Sequence, residues 1–164
     1  MKTKPGQIFN PRFLLILITV IIPIFFSSCS STKKIRNQNI NKVLDTARSY
    51  RGTPYRFGGT TRSGIDCSAL IYYSFQPAGI NMPRTSEAQS KMGKKVNGKS
   101  LSKGDLVFFS TGKSPRKVSH AGIVTDTSRG RIIFIHSSTS LGVTEDNLDN
   151  SYWSKAFRFG RRIL

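Results

Sequence analysis

Apolar positions follow three different patterns along the chain, and each pattern predicts a different kind of segment. The first is an unbroken run of 14 residues, 13-FLLILITVIIPIFF-26, preceded by Lys2, Lys4 and Arg12 and followed by 27-SSCSS-31. The second is helical spacing: Ile40, Val43, Leu44 and Ala47 predict a helix from about Asn39 to Tyr50. A turn-rich loop follows, 51-RGTPYRFGGTTRSGID-66, with four Gly and one Pro. It feeds a short apolar helix, 67-CSALIYYSF-75, stopped near Pro77 and Gly79, and a further short helix starts at Ser86 with Glu87 in its first turn. The third pattern is β-like. The segments 105-DLVFF-109, 120-HAGIVTD-126 and 131-RIIFIHS-137 are rich in Val, Ile and Phe, and a last strand falls near 156-AFRFGRRI-163, after the pair 152-YW-153. Helices first and strands afterwards predict an α+β domain with a small antiparallel sheet. Neither an internal repeat nor a second domain is visible.

The basic start, the apolar run and the small residues after it have the order of an export signal. The run is short for a bilayer span of roughly 20 residues. A buried core helix or an uncleaved signal anchor are the other readings, but core helices normally carry a polar face. Within the export reading, 26-FSSC-29 resembles a bacterial lipobox, with Phe26 where a Leu or a close relative is usual. That resemblance implies cleavage before Cys29 and lipidation of its thiol and new amino group, which holds a protein durably at a membrane. The expected layout is a signal over residues 1–28, a polar, basic tether over 29–38 and a domain over 39–164. The expected location is a bacterial membrane, facing the periplasm or cell wall; which membrane and which oligomeric state stay open.

Composition adds a strong charge imbalance: 26 Lys and Arg against 8 Asp and Glu, formally +18. Loss of residues 1–28 removes three basic and no acidic residues, leaving 23 against 8, formally +15. Such an excess favours anionic polymers or lipid. Nucleic acid is not expected as a partner, because export removes it and no zinc finger, recognition-helix pattern or phosphate loop appears; the 58-GG-59 pair lacks a following Lys-Ser or Lys-Thr.

Candidate chemistry rests on few residues. Besides Cys29 the only cysteine is Cys67, so no disulfide framework forms within one mature chain. Cys67 opens a predicted helix, where unpaired N–H groups favour a thiolate. The only histidines, His120 and His136, lie beside β-rich segments, and two neighbouring antiparallel strands can bring them side by side. Such a set suits a nucleophile, a base and an orienting group. It equally suits a packed cysteine with two structural histidines, or a Cys-His-His zinc set, although the short ligand pairs of structural zinc sites are missing.

The segment 53-TPYRFGGTTRSGIDCSALIYYSF-75 resembles the nucleophile motif of the NlpC-type peptidases, papain-like enzymes that hydrolyse bacterial cell-wall peptides. The segments 83-PRTSEAQ-89, 104-GDLVFF-109, 119-SHAGIV-124 and 133-IFIHSS-138 are similar to later family segments, in order, so that the resemblance spans about 39–164. It implies a papain-like fold, Cys67 as nucleophile, His120 as general base and His136 as the polar residue orienting that base. Tyr55 resembles the tyrosine beside the oxyanion, with the Cys67 N–H as the second donor. Asp66 and Ser68 resemble residues touching the substrate peptide, with an N-cap of the Cys67 helix the favoured role for Asp66. Arg84 matches a family position expected to serve structure or the groove wall. Phe57 stands where a Trp is common and Ala69 where a Gly is common. Gly58, Gly59 and Gly64 are expected to serve close approach or positive φ. The implied activity is thiol endopeptidase on peptidoglycan stem peptides or cross-links, without cofactor or metal. The alternatives are a catalytically inactive peptidoglycan-binding protein of the same fold, and a papain-like amidase or acyltransferase.

Overall fold

The computed structural model describes residues 31–112, 114 and 117–164. The chain divides into a unit ending at Asn37 and a larger unit, Gln38–Leu164. Residues 31–49 are helical (α1), so the helix begins well before the predicted Asn39 and takes in most of the expected tether. Within the larger unit Ile40, Val43, Leu44 and Ala47 are all buried, as their spacing predicts. The apolar run 13–26 and Cys29 lie outside the described residues. Among those described, no helix is long and apolar enough to cross a membrane.

The turn-rich loop contains a two-stranded antiparallel ribbon, β1 (Thr60–Thr61) with β2 (Gly64–Ile65), absent from the sequence reading. Gly58 has φ +71°, and a Cβ on Gly59 would collide with the Gly64 carbonyl oxygen. Both are the constraints expected of those glycines. Ile65 leads into α2 (Cys67–Phe75), then α3 (Ser86–Gln89) capped by Thr85. Seven of the nine α2 residues are buried, which makes it a core helix with no solvent face of any width.

A six-stranded sheet completes the unit, in the order β3-β8-β4-β5-β6-β7, with every neighbour antiparallel. Its strands are β3 (Lys94–Val96), β4 (Leu106–Phe109), β5 (His120–Asp126), β6 (Ile133–Ser138), β7 (Gly142–Asn147) and β8 (Phe157–Arg162). The pair Tyr152–Trp153 belongs to a helix, α4 (Ser151–Ala156). Alternation along the strands separates two apolar faces. Leu106, Phe108, Ala121, Ile123 and Ile135 pack on α1 and α2. Val107, Phe109, Val124 and Phe134 pack on the other side, with Leu148, Ala156 and Trp153. Fully buried rings such as Phe75, Phe108 and Phe134 each contribute on the order of 2–3 kcal/mol by leaving water. The expected α+β class, N-terminal helices on a small antiparallel sheet, is the observed one.

Candidate active site

The start of α2 is fixed by Asp66. Its backbone is extended (φ −94°, ψ 170°) and its Oδ1 accepts the Ala69 N–H at 2.7 Å, the N-cap favoured from sequence. The same carboxylate accepts Ser68 Oγ at 2.9 Å, Arg84 Nη1 at 2.9 Å and, on Oδ2, Arg84 Nη2 at 2.7 Å. Arg84 also donates to Ser68 Oγ at 2.8 Å and to the Gly59 carbonyl at 3.3 Å. Burial works to raise the Asp66 carboxyl, but the hydrogen bonds from Arg84, Ala69 and Ser68 outweigh it and hold the group below the usual carboxylate range. This cluster clamps the turn that carries Cys67.

Cys67 is buried and unpaired. Among the groups that favour its thiolate is the N–H of Ala121 in β5, the residue after His120. His120 and His136 come from adjacent strands, with His120 Nε2 and His136 Nδ1 hydrogen-bonded at 2.8 Å. The line continues onto a third strand. His136 Nε2 lies 2.9 Å from Oδ2 of Asp146 in β7, and that oxygen also accepts the Trp153 Nε1–H at 3.0 Å. Trp153 closes over the line, stacked on His120 (centroids 5.5 Å, 25°) and edge-on to His136 (4.8 Å, 74°). Three of the four ring nitrogens are thereby engaged, leaving His120 Nδ1 without a hydrogen bond among the described residues. A zinc set of Cys67, His120 and His136 does not suit this arrangement, because the two facing nitrogens use their lone pair and proton on each other.

Burial dominates the ionisation. It pushes Cys67 up to about 11, against the Ala121, Ser68 and Cys67 N–H groups that favour a thiolate. It also pulls His120 down to about 3, with His136 adding to the effect. His136 is lowered by burial too, in part offset by Asp146. Each of these shifts favours the uncharged form: the thiol of Cys67 and the neutral imidazoles of His120 and His136. The N–H groups at the helix start do favour the thiolate, as the sequence suggests, and desolvation works against them. Tyr55 is raised by burial, then by Cys67 and Asp66, so it remains a hydroxyl donor.

Cys67 opens into a cleft of about 550 Å³, which Tyr55, Phe57, Asp66, Ser68 and Arg84 also line. Phe57 is 89% exposed there, an aromatic presented to solvent at the rim. A second hollow, about 290 Å³, adjoins His120 and is lined by Leu141, Asp146, Tyr152 and Trp153 among others. The structure thus gathers Cys67, Tyr55, Asp66 and Ser68 at one cleft and links His120 to His136. The sequence reading missed Asp146 and Trp153. The single Trp of the chain, a donor that needs an acceptor once covered, was the available signal.

Comparison with known proteins gives one consistent answer. The pattern of the NlpC/P60 family matches residues 52–162. The chain is 38% identical over 161 residues to the probable endopeptidase NlpC of Escherichia coli strain K12, covering 93% of this chain and 99% of that protein. It is 36% identical over 132 residues to the murein DD-endopeptidase MepS/murein LD-carboxypeptidase of the same strain, covering 79% of this chain and 66% of that one. A crystal structure of an NlpC/P60 family protein from Bacillus cereus superposes with a TM-score of 0.68 at 28% identity, over 76% of this chain and 40% of that one.

Proposed function

The chain belongs to the NlpC/P60 family, and from that premise we propose that it is a lipid-anchored cysteine endopeptidase hydrolysing amide bonds of peptidoglycan stem peptides or their cross-links. What supports this reading most is that the residue after His120, Ala121, offers its N–H to the Cys67 thiolate, while His120 Nε2 is hydrogen-bonded to His136 Nδ1. The names of the relatives support the substrate class: one is a probable endopeptidase, another acts on murein.

The mechanism starts from neutral partners. Sulfur attacks the amide carbonyl of a stem peptide in the Cys67 cleft while His120 Nδ1 takes the thiol proton. The oxyanion is received by the Cys67 N–H and the Tyr55 hydroxyl, which burial keeps protonated. His120 then gives its proton to the leaving nitrogen, the C–N bond breaks, and the amine departs. Water attacks the remaining thioester, His120 removing its proton, and the released thiolate is reprotonated. His136 holds the His120 ring. Asp66 and Ser68 act at the cleft wall and Arg84 supports both.

Mass analysis of muropeptides after incubation with the purified protein tests the proposal and identifies the bond, whether D-Glu to diamino acid or D-Ala to diamino acid. Shortened stems or opened cross-links are expected with wild type and not with Cys67→Ser. Unchanged muropeptides with both would contradict it.

A further inference from the structure

Two neutral imidazoles that share one hydrogen bond must agree on which ring donates, and the pair alone does not decide. For His120 and His136 the decision comes from the far side. His136 Nε2 faces Asp146 Oδ2 at 2.9 Å. That same oxygen already accepts the Trp153 N–H, so it serves His136 as an acceptor too, and the His136 hydrogen belongs on Nε2. A neutral ring has one N–H; Nδ1 of His136 is therefore bare and accepts. His120 must then donate from Nε2 across the 2.8 Å contact. That leaves the His120 lone pair on Nδ1, the nitrogen free to take a proton.

Asp146 is itself held in place. The Trp153 indole, a donor and never an acceptor, points its N–H at the same Oδ2 at 3.0 Å. Any group at that spot must present an acceptor to both Trp153 and His136. Three strands and one helix thus supply a line of four side chains, β5 to β6 to β7 and back over the top from α4. His136 is completely buried, so water does not offer its nitrogens an alternative partner.

We propose that Asp146, held by Trp153, is a positioning residue that sets the tautomers of His136 and His120 and thereby makes His120 Nδ1 the base. This rests on the catalytic reading of Cys67 and His120 given above. Asp146 does not touch the thiol. It acts through two rings, and its loss changes where a proton sits rather than which groups are present.

The test combines ring-nitrogen NMR with kinetics on the full-length protein, labelled with ¹⁵N-histidine. Wild type is expected to show both histidines protonated at Nε2 and bare at Nδ1. Asp146→Leu removes the acceptor, so both rings should become tautomeric mixtures. kcat/KM should fall, mainly through kcat, by roughly 10²–10⁴-fold, the range for a misplaced or mis-tautomerised base. Asp146→Asn keeps the shape and separates charge from tautomer. Trp153 forces its amide oxygen toward the rings, so the tautomers should persist and much of the rate survive. Adding Trp153→Phe lets that amide turn, and the double variant should fall to the level of Asp146→Leu, further than the two single effects combined. The near-isosteric Asn variant keeps the proposal open to refutation should Asp146→Leu fail to fold. The proposal is overturned if wild-type His136 carries its hydrogen on Nδ1, or if Asp146→Leu leaves both rings as in wild type. If the tautomers are as inferred but wild type hydrolyses no stem peptide, the catalytic reading fails while the tautomer assignment stands.

Discussion

Replacing Arg84 by Met removes a charge while keeping most of the side-chain volume, and its effect follows from the hydrogen bonds around Asp66. The guanidinium makes two bonds to the Asp66 carboxylate, at 2.9 and 2.7 Å, and one to Ser68 at 2.8 Å. After the substitution Asp66 keeps the Ala69 N–H and Ser68 but loses its only cationic partner among the described residues. Its side chain is 11% exposed, so water replaces Arg84 poorly. Removing one partner of a fully buried pair costs about 3–5 kcal/mol. Arg84 itself is 38% exposed, which screens the pair and lowers the expected loss, to about 1.5–3 kcal/mol for hydrogen bonds to a charged group. For a domain of this size that corresponds to a Tm lower by roughly 5–10 °C.

The pH dependence gives the sign. Asp66 sits below its ordinary range in the folded protein, so its contribution is present above the unfolded value of about 3.9 and is lost as pH falls through the lower folded value. In Arg84→Met, both Arg84 contributions that lower the carboxyl are gone, so burial is opposed only by the Ala69 and Ser68 hydrogen bonds and the carboxyl rises relative to wild type. The gap between wild type and variant should therefore be widest at neutral pH and close as pH falls below about 4. Thermal melts of both proteins across that range measure it. Equal Tm at neutral pH, or a gap that stays constant into acid, would refute the reasoning.

Three further outcomes follow from the same geometry. With the Cys67 thiol at about 11, its alkylation by iodoacetamide should be slow at neutral pH and climb steadily into alkali; a plateau already reached near neutrality would mean a preformed thiolate–imidazolium pair. Gly122→Ala should destabilise by about 1–3 kcal/mol and lower kcat, because the new Cβ would lie 2.7 Å from the Phe134 ring, 2.8 Å from the Ile135 carbonyl and 3.3 Å from His136 Cβ; Gly112→Ala, with nothing within 4 Å among the described residues, is the control, and equal behaviour of the two would contradict the close approach. Labelled fatty acid should enter the wild-type protein and not Cys29→Ser, whereas equal labelling would remove the anchor from the proposal.

The sequence made the centre of the fold legible and its margins illegible, for one physical reason. The central strands β4, β5 and β6 are covered on both faces, so LVFF, HAGIVTD and IFIHSS carry dense apolar signals. The two missed strands of the main sheet, β3 and β7, are its two edges. KKV and GVTEDN have little apolar surface to bury, and the lysines of β3 suit an edge that must not recruit another strand. Asp146 was missed with its strand. Cys67, His120 and His136 stood out because the chain holds so few residues of their kinds. The ionisation of Cys67 was not legible at all, since a helix start is visible in sequence and desolvation is not. The helix over 31–39 was hidden by its polar composition, Lys33, Lys34 and Arg36 being as compatible with a helix surface as with a linker.

The central claim, that Cys67 carries the acyl group of a stem peptide, is tested most directly by intact-protein mass spectrometry on acid-quenched mixtures of enzyme and muropeptide. The account expects a transient adduct with the mass of the acyl portion of the substrate, mapped to Cys67 and absent from Cys67→Ala, whose hydrolysis is also abolished. Product formation at an undiminished rate in Cys67→Ala, with no adduct in either protein, would contradict it.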